Sequence, residues 1–212
     1  MPAKLEMPPQ TRRDAAKNLL TSKNKRGRGR RSASPNIRLR TRNFKQRTAM
    51  CGPACLKIVS AYFGVKASER RIARLCRSRV TSGTTGANLA KAARSLGFST
   101  QIVDEARFKT IEQWLRRGVP VIVDWMSAQH NRRMGHPVAV GHYSVVCGLT
   151  GKDIILEDPA VGRRNRIDRR TFLRLWFDFR YLYPNHKDHL IVRRLIVVAP
   201  KDLISSKRRS VS

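Results

Sequence analysis

Acidic residues are scarce in this chain. Its 212 residues include 14 Asp and Glu against 45 Lys and Arg, which gives a formal net charge of +31. A charge of this size attracts polyanions, so an acidic partner such as nucleic acid is expected. Net charge says nothing about the fold, however, and the same excess is consistent with a role in solubility alone.

Long apolar runs are missing as well. The chain has no stretch of about eighteen apolar residues, as a membrane-spanning helix requires, and its N-terminus lacks the apolar segment of a signal peptide. We therefore expect no transmembrane segment and a cytoplasmic location. The hydrophobic fraction of 41% is nevertheless sufficient for the core of one ordinary domain.

Cysteine is also sparse, with 4 residues in the chain. These are too few and too scattered for a disulfide framework, and in a reducing compartment their thiols stay free. We interpret Cys55, Cys76 and Cys147 as small buried core residues. A zinc site at Cys51 and Cys55 is disfavoured because no second cysteine pair accompanies them. The sequence predicts neither a metal nor another cofactor.

The composition changes along the chain. Residues 1–42 contain few large apolar side chains and include the basic block Lys23–Arg31. Such a segment cannot bury enough apolar surface to fold alone, so we predict a disordered basic tail. Its charge favours binding to nucleic acid or another polyanion, although a solvated leader without a partner has the same composition. Residues 43–200 are predicted to form one folded domain, and residues 201–212 a second basic tail.

Helical patterns dominate the first half of the folded part, and strand patterns the second half. Apolar spacing, N-cap residues and terminal glycines predict helices over 51–63, 69–75, 87–96, 108–117 and 171–176. Runs rich in β-branched residues predict strands over 99–103, 119–125, 142–149, 153–157 and 191–198. The polar stretch 129–137 predicts a loop that contains His130 and His136. Helices followed by an antiparallel sheet predict an α+β fold.

Cys51 stands at the predicted start of a helix, in the run Cys51–Ala54. The thiolate is the nucleophilic form of cysteine, and the dipole and unpaired N–H groups of a helix N-terminus lower the pKa of a thiol. Pro53 is tolerated in a first helical turn, and Gly52 permits close approach of other groups to the nucleophile. Cys51 is therefore the candidate nucleophile, and an amide of this turn is a candidate donor to an oxyanion.

Two polar residues mark the ends of neighbouring predicted strands. The short turn at 150–153 joins a strand that begins with His142 to a strand that ends just before Asp158. Antiparallel pairing of these strands brings both side chains to the same edge of the sheet. An imidazole in this position serves a thiolate as acid and base, with Asp158 or, alternatively, Glu157 orienting the ring.

Several stretches, in this order, resemble the bacteriocin-processing endopeptidases, papain-like cysteine peptidases that cut leader peptides after a double glycine, and their stand-alone relatives. The matching stretches lie between about residues 43 and 198 and are Gln46–Leu56, Ala61–Gly64, Leu96–Phe98, Gly118–Val123, Gly141–Val146 and Asp158–Gly162. The resemblance implies a papain-like fold in which an N-terminal helical part packs on an antiparallel sheet.

The resemblance also implies the roles of the site residues. Cys51 would be the nucleophile, His142 the general acid and base, and Asp158 the orienting carboxylate. Gln46 would be the side-chain donor to the oxyanion hole, although it lies one residue closer to the cysteine than such a glutamine usually does. Met50 stands where many relatives carry an acidic residue, which bears on substrate selection rather than on catalysis.

The expected function is hydrolysis of a peptide bond in a peptide or protein substrate, and the resemblance implies cleavage after a double glycine. Three alternatives stay open. The first two are a catalytically altered peptide-binding relative and a basic, nucleic-acid-associated protein on the same fold. The third is another acyl transfer, such as transglutamination or deamidation, by the same three side chains. The sequence predicts no oligomeric state.

Overall fold

The computed structural model describes residues 35–131, 136–179 and 190–205. Its helices are α1 (Cys51–Tyr62), α2 (Glu69–Leu75), α3 (Gly86–Ser95), α4 (Phe108–Arg116), α5 (Arg169–Leu175) and α6 (Lys201–Ser205). Its strands are β1 (Ile37–Arg38), β2 (Ser99–Val103), β3 (Val121–Asn131), β4 (His136–Leu149), β5 (Asp153–Asp158), β6 (Arg163–Asp168), β7 (Phe177–Phe179), β8 (Leu190–Val192) and β9 (Leu195–Ala199). The three helices before β2 and the mostly strand-forming second half confirm the predicted α+β class.

A seven-stranded sheet forms the centre of the fold. Its strand order is β2-β9-β3-β4-β5-β6, and all pairs are antiparallel. The short strand β1 pairs with Gly148 and Leu149 of β4, beyond the point at which the pairing of β4 with β3 ends. Strands β7 and β8 form a separate two-stranded sheet. The long strand β4 thus contacts three neighbours and organises the sheet.

The local sequence explains where the N-terminal helices begin and end. The Ser68 hydroxyl accepts a hydrogen bond from the first turn of α2, and the Thr85 hydroxyl does the same for α3. These side chains satisfy amides that have no acceptor within the helix. Gly64 and Gly97 adopt left-handed backbone angles, with φ of 83° and 90°, just after α1 and α3. Glycine is favoured at such positions because it lacks a Cβ.

The hydrophobic core lies between the sheet and the helices. Helix α1 packs against β4 and also against α2 and α3. A second group of contacts is aromatic and joins α4, α5 and β3: the ring centroids of Trp125 and Phe172 are 5.6 Å apart, and those of Phe172 and Trp176 are 5.4 Å apart. Each fully buried side chain of this size stabilises the fold by about 1.5–3 kcal/mol. The core therefore holds α1 against β4 and α5 against β3.

The hairpin of β3 and β4 is longer than predicted. These strands pair from Val121 opposite Val146 to Asn131 opposite His136. The prediction that a strand begins at His142 is therefore wrong, and the ends of the predicted loop 129–137 belong to strands, while residues 132–135 lie outside the described residues. Pairing with a partner strand outweighs the weak strand preference of the polar and small residues in this region.

The predicted strand 191–198 is divided in two. Strands β8 and β9 belong to different sheets and are separated at Arg193, whose φ is 48°. A positive φ interrupts an extended strand, and non-glycine residues seldom adopt it. The continuous run of β-branched residues does not reveal this break.

Two segments within the ranges predicted as tails form secondary structure. Strand β1 lies within residues 1–42, its Ile37 side chain is buried, and the Leu39 amide donates to the Cys147 carbonyl at 2.7 Å. Helix α6 lies within residues 201–212. Residues 1–34 and 206–212, including the basic block, lie outside the described residues, so the disorder predicted for them stays a prediction.

Candidate active site

Cys51 is the first residue of α1 and is partly buried. The backbone amides of Tyr143 and Gly52 donate hydrogen bonds to its sulfur. Gly52 is packed closely, since a Cβ at this position would lie 3.0 Å from the Cβ of Thr84. The group that approaches Gly52 is therefore the loop before α3. The missing side chain lets this loop close over the start of the helix.

His142 lies in the middle of β4, directly opposite Trp125 of β3. Directly paired residues share one face of a sheet, and the two ring centroids are 6.1 Å apart. The indole of Trp125 is itself held by a hydrogen bond from its Nε1 to the Ser144 hydroxyl at 3.1 Å. Only 1% of the His142 surface is exposed. The imidazole therefore has a fixed, largely dry environment.

Asp158 is the last residue of β5, one residue beyond the predicted end of this strand, and β5 pairs with β4 in the antiparallel sense. Its Oδ1 lies 2.9 Å from Nε2 of His142. The same oxygen accepts the Ala160 amide at 3.0 Å, which holds the carboxylate in place. The alternative residue, Glu157, instead accepts from the Thr41 hydroxyl at 2.6 Å and pairs with Arg164. The structure brings Asp158, and not Glu157, to the imidazole.

Cys51 and His142 each shift the pKa of the other. Burial by itself would raise the pKa of the Cys51 thiol, but the hydrogen bond and charge of His142 bring this pKa below its usual value. Burial by itself would lower the pKa of His142, whereas hydrogen bonds to Asp158 and Cys51 raise it to about 9. Nδ1 of His142 is buried and otherwise has no hydrogen-bond partner among the described residues. This arrangement favours the thiolate form of Cys51 and the imidazolium form of His142.

Gln46 lies in the segment that leads into α1. Its backbone amide donates to the Pro159 carbonyl at 2.9 Å, so the segment is anchored beside the turn that follows Asp158. Its side chain is half-buried, and the amide oxygen Oε1 is buried without a hydrogen-bond partner among the described residues. Its role as an oxyanion donor stays a prediction.

The other three cysteines are buried, as the sequence predicts. Burial raises the pKa of Cys55 and raises that of Cys76 to about 12 and that of Cys147 to about 11. A thiol with a raised pKa and no solvent access is a poor nucleophile. Cys51 is thus the one thiol in the chain whose surroundings favour the reactive form.

The sequence predictions missed a pair of acidic residues close to the site, of which Asp124 is buried. The Asp124 carboxyl on β3 is 1% exposed and contacts Asp178 of β7 and the Tyr143 side chain. Burial and the neighbouring Asp178 carboxylate raise the pKa of Asp124 well above its usual value. Asp178 also lies against Gly141, where any side chain would collide with its carboxylate. An isolated acidic residue in a strand gives no signal for such a long-range contact.

Two further observations bear on cofactors and membranes. Within residues 35–131, 136–179 and 190–205, no group of three or more side chains is placed to hold a metal ion. In the same part of the chain, no helix has the length and apolar character that crossing a bilayer requires.

Comparison with solved structures relates the whole arrangement to known peptidase domains. The peptidase domain of Streptococcus ComA, a bi-functional ABC transporter involved in quorum sensing, is 24% identical, with a TM-score of 0.56 over 76% of this chain and 98% of that domain. A double glycine motif protease from an AMS/PCAT transporter, solved with its leader peptide, is 20% identical, with a TM-score of 0.57 over 80% of this chain and 99% of that one. These similarities confirm the predicted papain-like fold.

Two further comparisons extend this result. A putative C39-like peptidase from Bacillus anthracis gives a TM-score of 0.55 at 12% identity, over 78% of this chain and 98% of that one. An uncharacterized protein of Methanothermobacter marburgensis is 34% identical over 128 residues, which are 59% of this chain and 75% of the relative. The model of the peptidase C39 family matches residues 42–185. Since this match covers well over half of the sequence, the chain belongs to the peptidase C39 family.

Proposed function

We propose that the protein is a cysteine endopeptidase in which Cys51, His142 and Asp158 act as a catalytic triad. Membership of the peptidase C39 family supports the cysteine peptidase role. The observation that carries the assignment of residues is the unbroken series of contacts from the Asp158 carboxylate, through the His142 ring, to the Cys51 sulfur. A protein that only bound peptides would have no chemical need for this series.

The proposed reaction proceeds in two stages. The Cys51 thiolate attacks the carbonyl carbon of the scissile peptide bond and forms a tetrahedral intermediate. The His142 imidazolium then gives its proton to the departing amine, the C–N bond breaks, and a thioester remains on Cys51. The neutral imidazole next takes a proton from water, which attacks the thioester and releases the acid. Asp158 holds the ring in its orientation throughout, and Gln46 would donate to the oxyanion.

We further propose a peptide that contains a double glycine as the substrate. The supporting fact is that one structurally similar protein is a double glycine motif protease, solved in complex with its leader peptide. Glycine has no side chain and therefore fits a cleft too narrow for other residues. A cytoplasmic location remains part of this proposal.

The test is mass spectrometry of a leader peptide with Gly-Gly before the scissile bond, incubated with the full chain. Hydrolysis gives two products whose masses sum to that of the substrate plus one water. Cys51→Ala is expected to abolish the products, whereas Cys76→Ala, which removes a buried thiol outside the site, should retain them. A substrate that binds and stays intact would refute the peptidase assignment, and a product mass showing transfer to an amine would support acyl transfer instead.

The sequence of the cleavage site is tested with a second peptide. Replacing both glycines by alanines should lower kcat/KM by at least about 100-fold, because added methyl groups in a closely packed cleft prevent the near-attack geometry. Equal cleavage of both peptides would retain the peptidase but remove the double-glycine preference.

A further inference from the structure

Helix α2 and its flanking residues carry a dense positive charge that the proposed peptidase reaction does not use. The exposed cations of this segment are Lys66, Arg70, Arg71, Arg74, Arg77 and Arg79. The only acidic residue between them is Glu69, which is buried and binds the segment before α1 through the Arg47 amide and side chain. The exposed surface of α2 therefore presents positive charge, because its acidic residue is buried.

These cations also lack ion-pair partners among the residues that the structure describes. None of these cationic side chains forms an ion pair or hydrogen bond with the part of the chain that the structure describes. Other arginines do find partners: Arg116 pairs with Glu112, Arg166 with Asp153, and Arg194 with Asp104. Arg70 and Arg74 lie one turn apart on α2, where like charges oppose helix formation. The cations of this segment are therefore available to an anionic partner.

Two of the arginines, Arg70 and Arg74, are four residues apart and lie on one face of α2. Arg77 follows just after the end of the helix. The opposite face, with Ile72 and Cys76, is buried in the core. We call Arg70, Arg74 and Arg77 the arginine row. Arg70 and Arg74 are separated by about 6 Å along the helix axis.

The backbone at Arg77 gives independent support. Glycine takes the left-handed position after α1, α3 and α4, at Gly64, Gly97 and Gly118. After α2 the same position is occupied by Arg77, with φ of 51°. At this end of α2, the Ser78 amide donates a hydrogen bond to the Ala73 carbonyl at 3.0 Å. An arginine therefore stands where glycine would be more stable, which is expected if its guanidinium has a function.

We infer that the arginine row is a docking surface for the phosphate backbone of duplex nucleic acid. Guanidinium groups bind phosphate oxygens through paired hydrogen bonds, and arginine outnumbers lysine here. An anionic membrane is a poorer fit, because membrane-bound helices present large apolar side chains beside their cations and α2 buries its apolar face.

The experiment measures binding of the full chain to a DNA duplex of about 20 base pairs by fluorescence anisotropy, between about 50 and about 200 mM salt. The test variant is Arg70→Gln with Arg74→Gln. The control is Arg170→Gln with Arg174→Gln, which removes two exposed arginines from the same second and sixth positions of α5, another seven-residue helix. Both variants lose the same charge.

Loss of two phosphate contacts should reduce the slope of log K against log salt by about 1.8 and weaken binding about 60-fold at about 0.1 M salt. The control should retain nearly all of the affinity and slope. Equal weakening in the two variants would show a general charge effect and overturn the inference. Tighter binding to phosphatidylserine vesicles than to DNA, lost in the test variant alone, would also overturn it.

A single substitution separates docking from folding. Arg77→Gly should weaken DNA binding about tenfold at about 0.1 M salt, while the melting temperature stays the same or rises, because glycine accepts the left-handed conformation without strain. A structural role for Arg77 predicts the opposite pattern, a lower melting temperature with unchanged DNA affinity. Peptide cleavage serves as the activity readout and should not change, since Arg77 is outside the proposed triad.

Discussion

Replacing Asp158 by Asn tests the electrostatic part of the proposed triad. Asparagine keeps an oxygen that can accept the Ala160 amide, now 3.0 Å from Asp158 Oδ1, so the turn should be preserved. It removes the negative charge that lies 2.9 Å from His142 Nε2. The imidazolium is then less favoured, and with it the thiolate of Cys51. The substitution therefore changes protonation with little change in structure.

The size of the effect follows from the pKa of His142. This pKa is about 9 rather than 6.5, and a difference of about 2.5 pKa units corresponds to about 3 kcal/mol. Asp158 and Cys51 share this preference for the imidazolium, so loss of Asp158 should remove about half of it. The pH midpoint for thiolate formation at Cys51 should rise by at least about one unit.

The assay is alkylation of Cys51 by iodoacetamide from about pH 4 to about pH 10, with the modified peptide quantified by mass spectrometry. Wild-type protein should react at Cys51 with a midpoint below the usual thiol pKa of 9.0. Asp153→Asn is the matched control, since Asp153 lies at the opposite end of β5 and pairs with Arg166. An unchanged midpoint in Asp158→Asn would show that the Asp158 charge does not control the protonation of Cys51.

Two further predictions concern stability and are measured by urea unfolding. Arg164→Ala leaves the buried Glu157 carboxylate without its ion-pair partner and should lower the free energy of unfolding by about 3 kcal/mol. Arg166→Ala breaks an exposed pair in the same strand and should cost less than about 1 kcal/mol; equal losses would contradict this difference. Deletion of residues 1–34 should leave the midpoint unchanged. Deletion of residues 1–42 should lower it, because β1 is lost with buried side chains worth about 1.5–3 kcal/mol each, and identical midpoints would argue that β1 is dispensable.

Much of the helical half of the fold could be predicted from local sequence. The helix at 69–75 and the strand at 99–103 have the predicted bounds, because caps, glycines and apolar spacing act over a few residues. Cys51 was placed correctly at the start of a helix for the same reason. These features depend on short-range physics, which a single sequence records.

Elements that depend on distant partners were not predictable in this way. Strand β6 consists mainly of exposed charged residues and forms a strand because it pairs along the edge of β5. The hairpin that extends on both sides of His142 likewise needs its partner strand. The hydrogen bond from the Thr41 hydroxyl to the Glu157 carboxylate joins residues more than a hundred positions apart, and no periodic pattern in the sequence predicts it. Register and long-range polar contacts come from packing rather than from propensity.

The unequal accessibility of the thiols has a consequence for redox chemistry. Oxidation by peroxide begins with a thiolate that solvent can reach, and its first product is a sulfenic acid. Cys51 is partly exposed and the pKa of its thiol is lowered, while the three remaining thiols are buried and their pKa values are raised. Peroxide would therefore oxidise and inactivate Cys51 before it oxidises the buried thiols of the core. A reductant that restores this one sulfur would return the molecule to its working state with its fold unchanged.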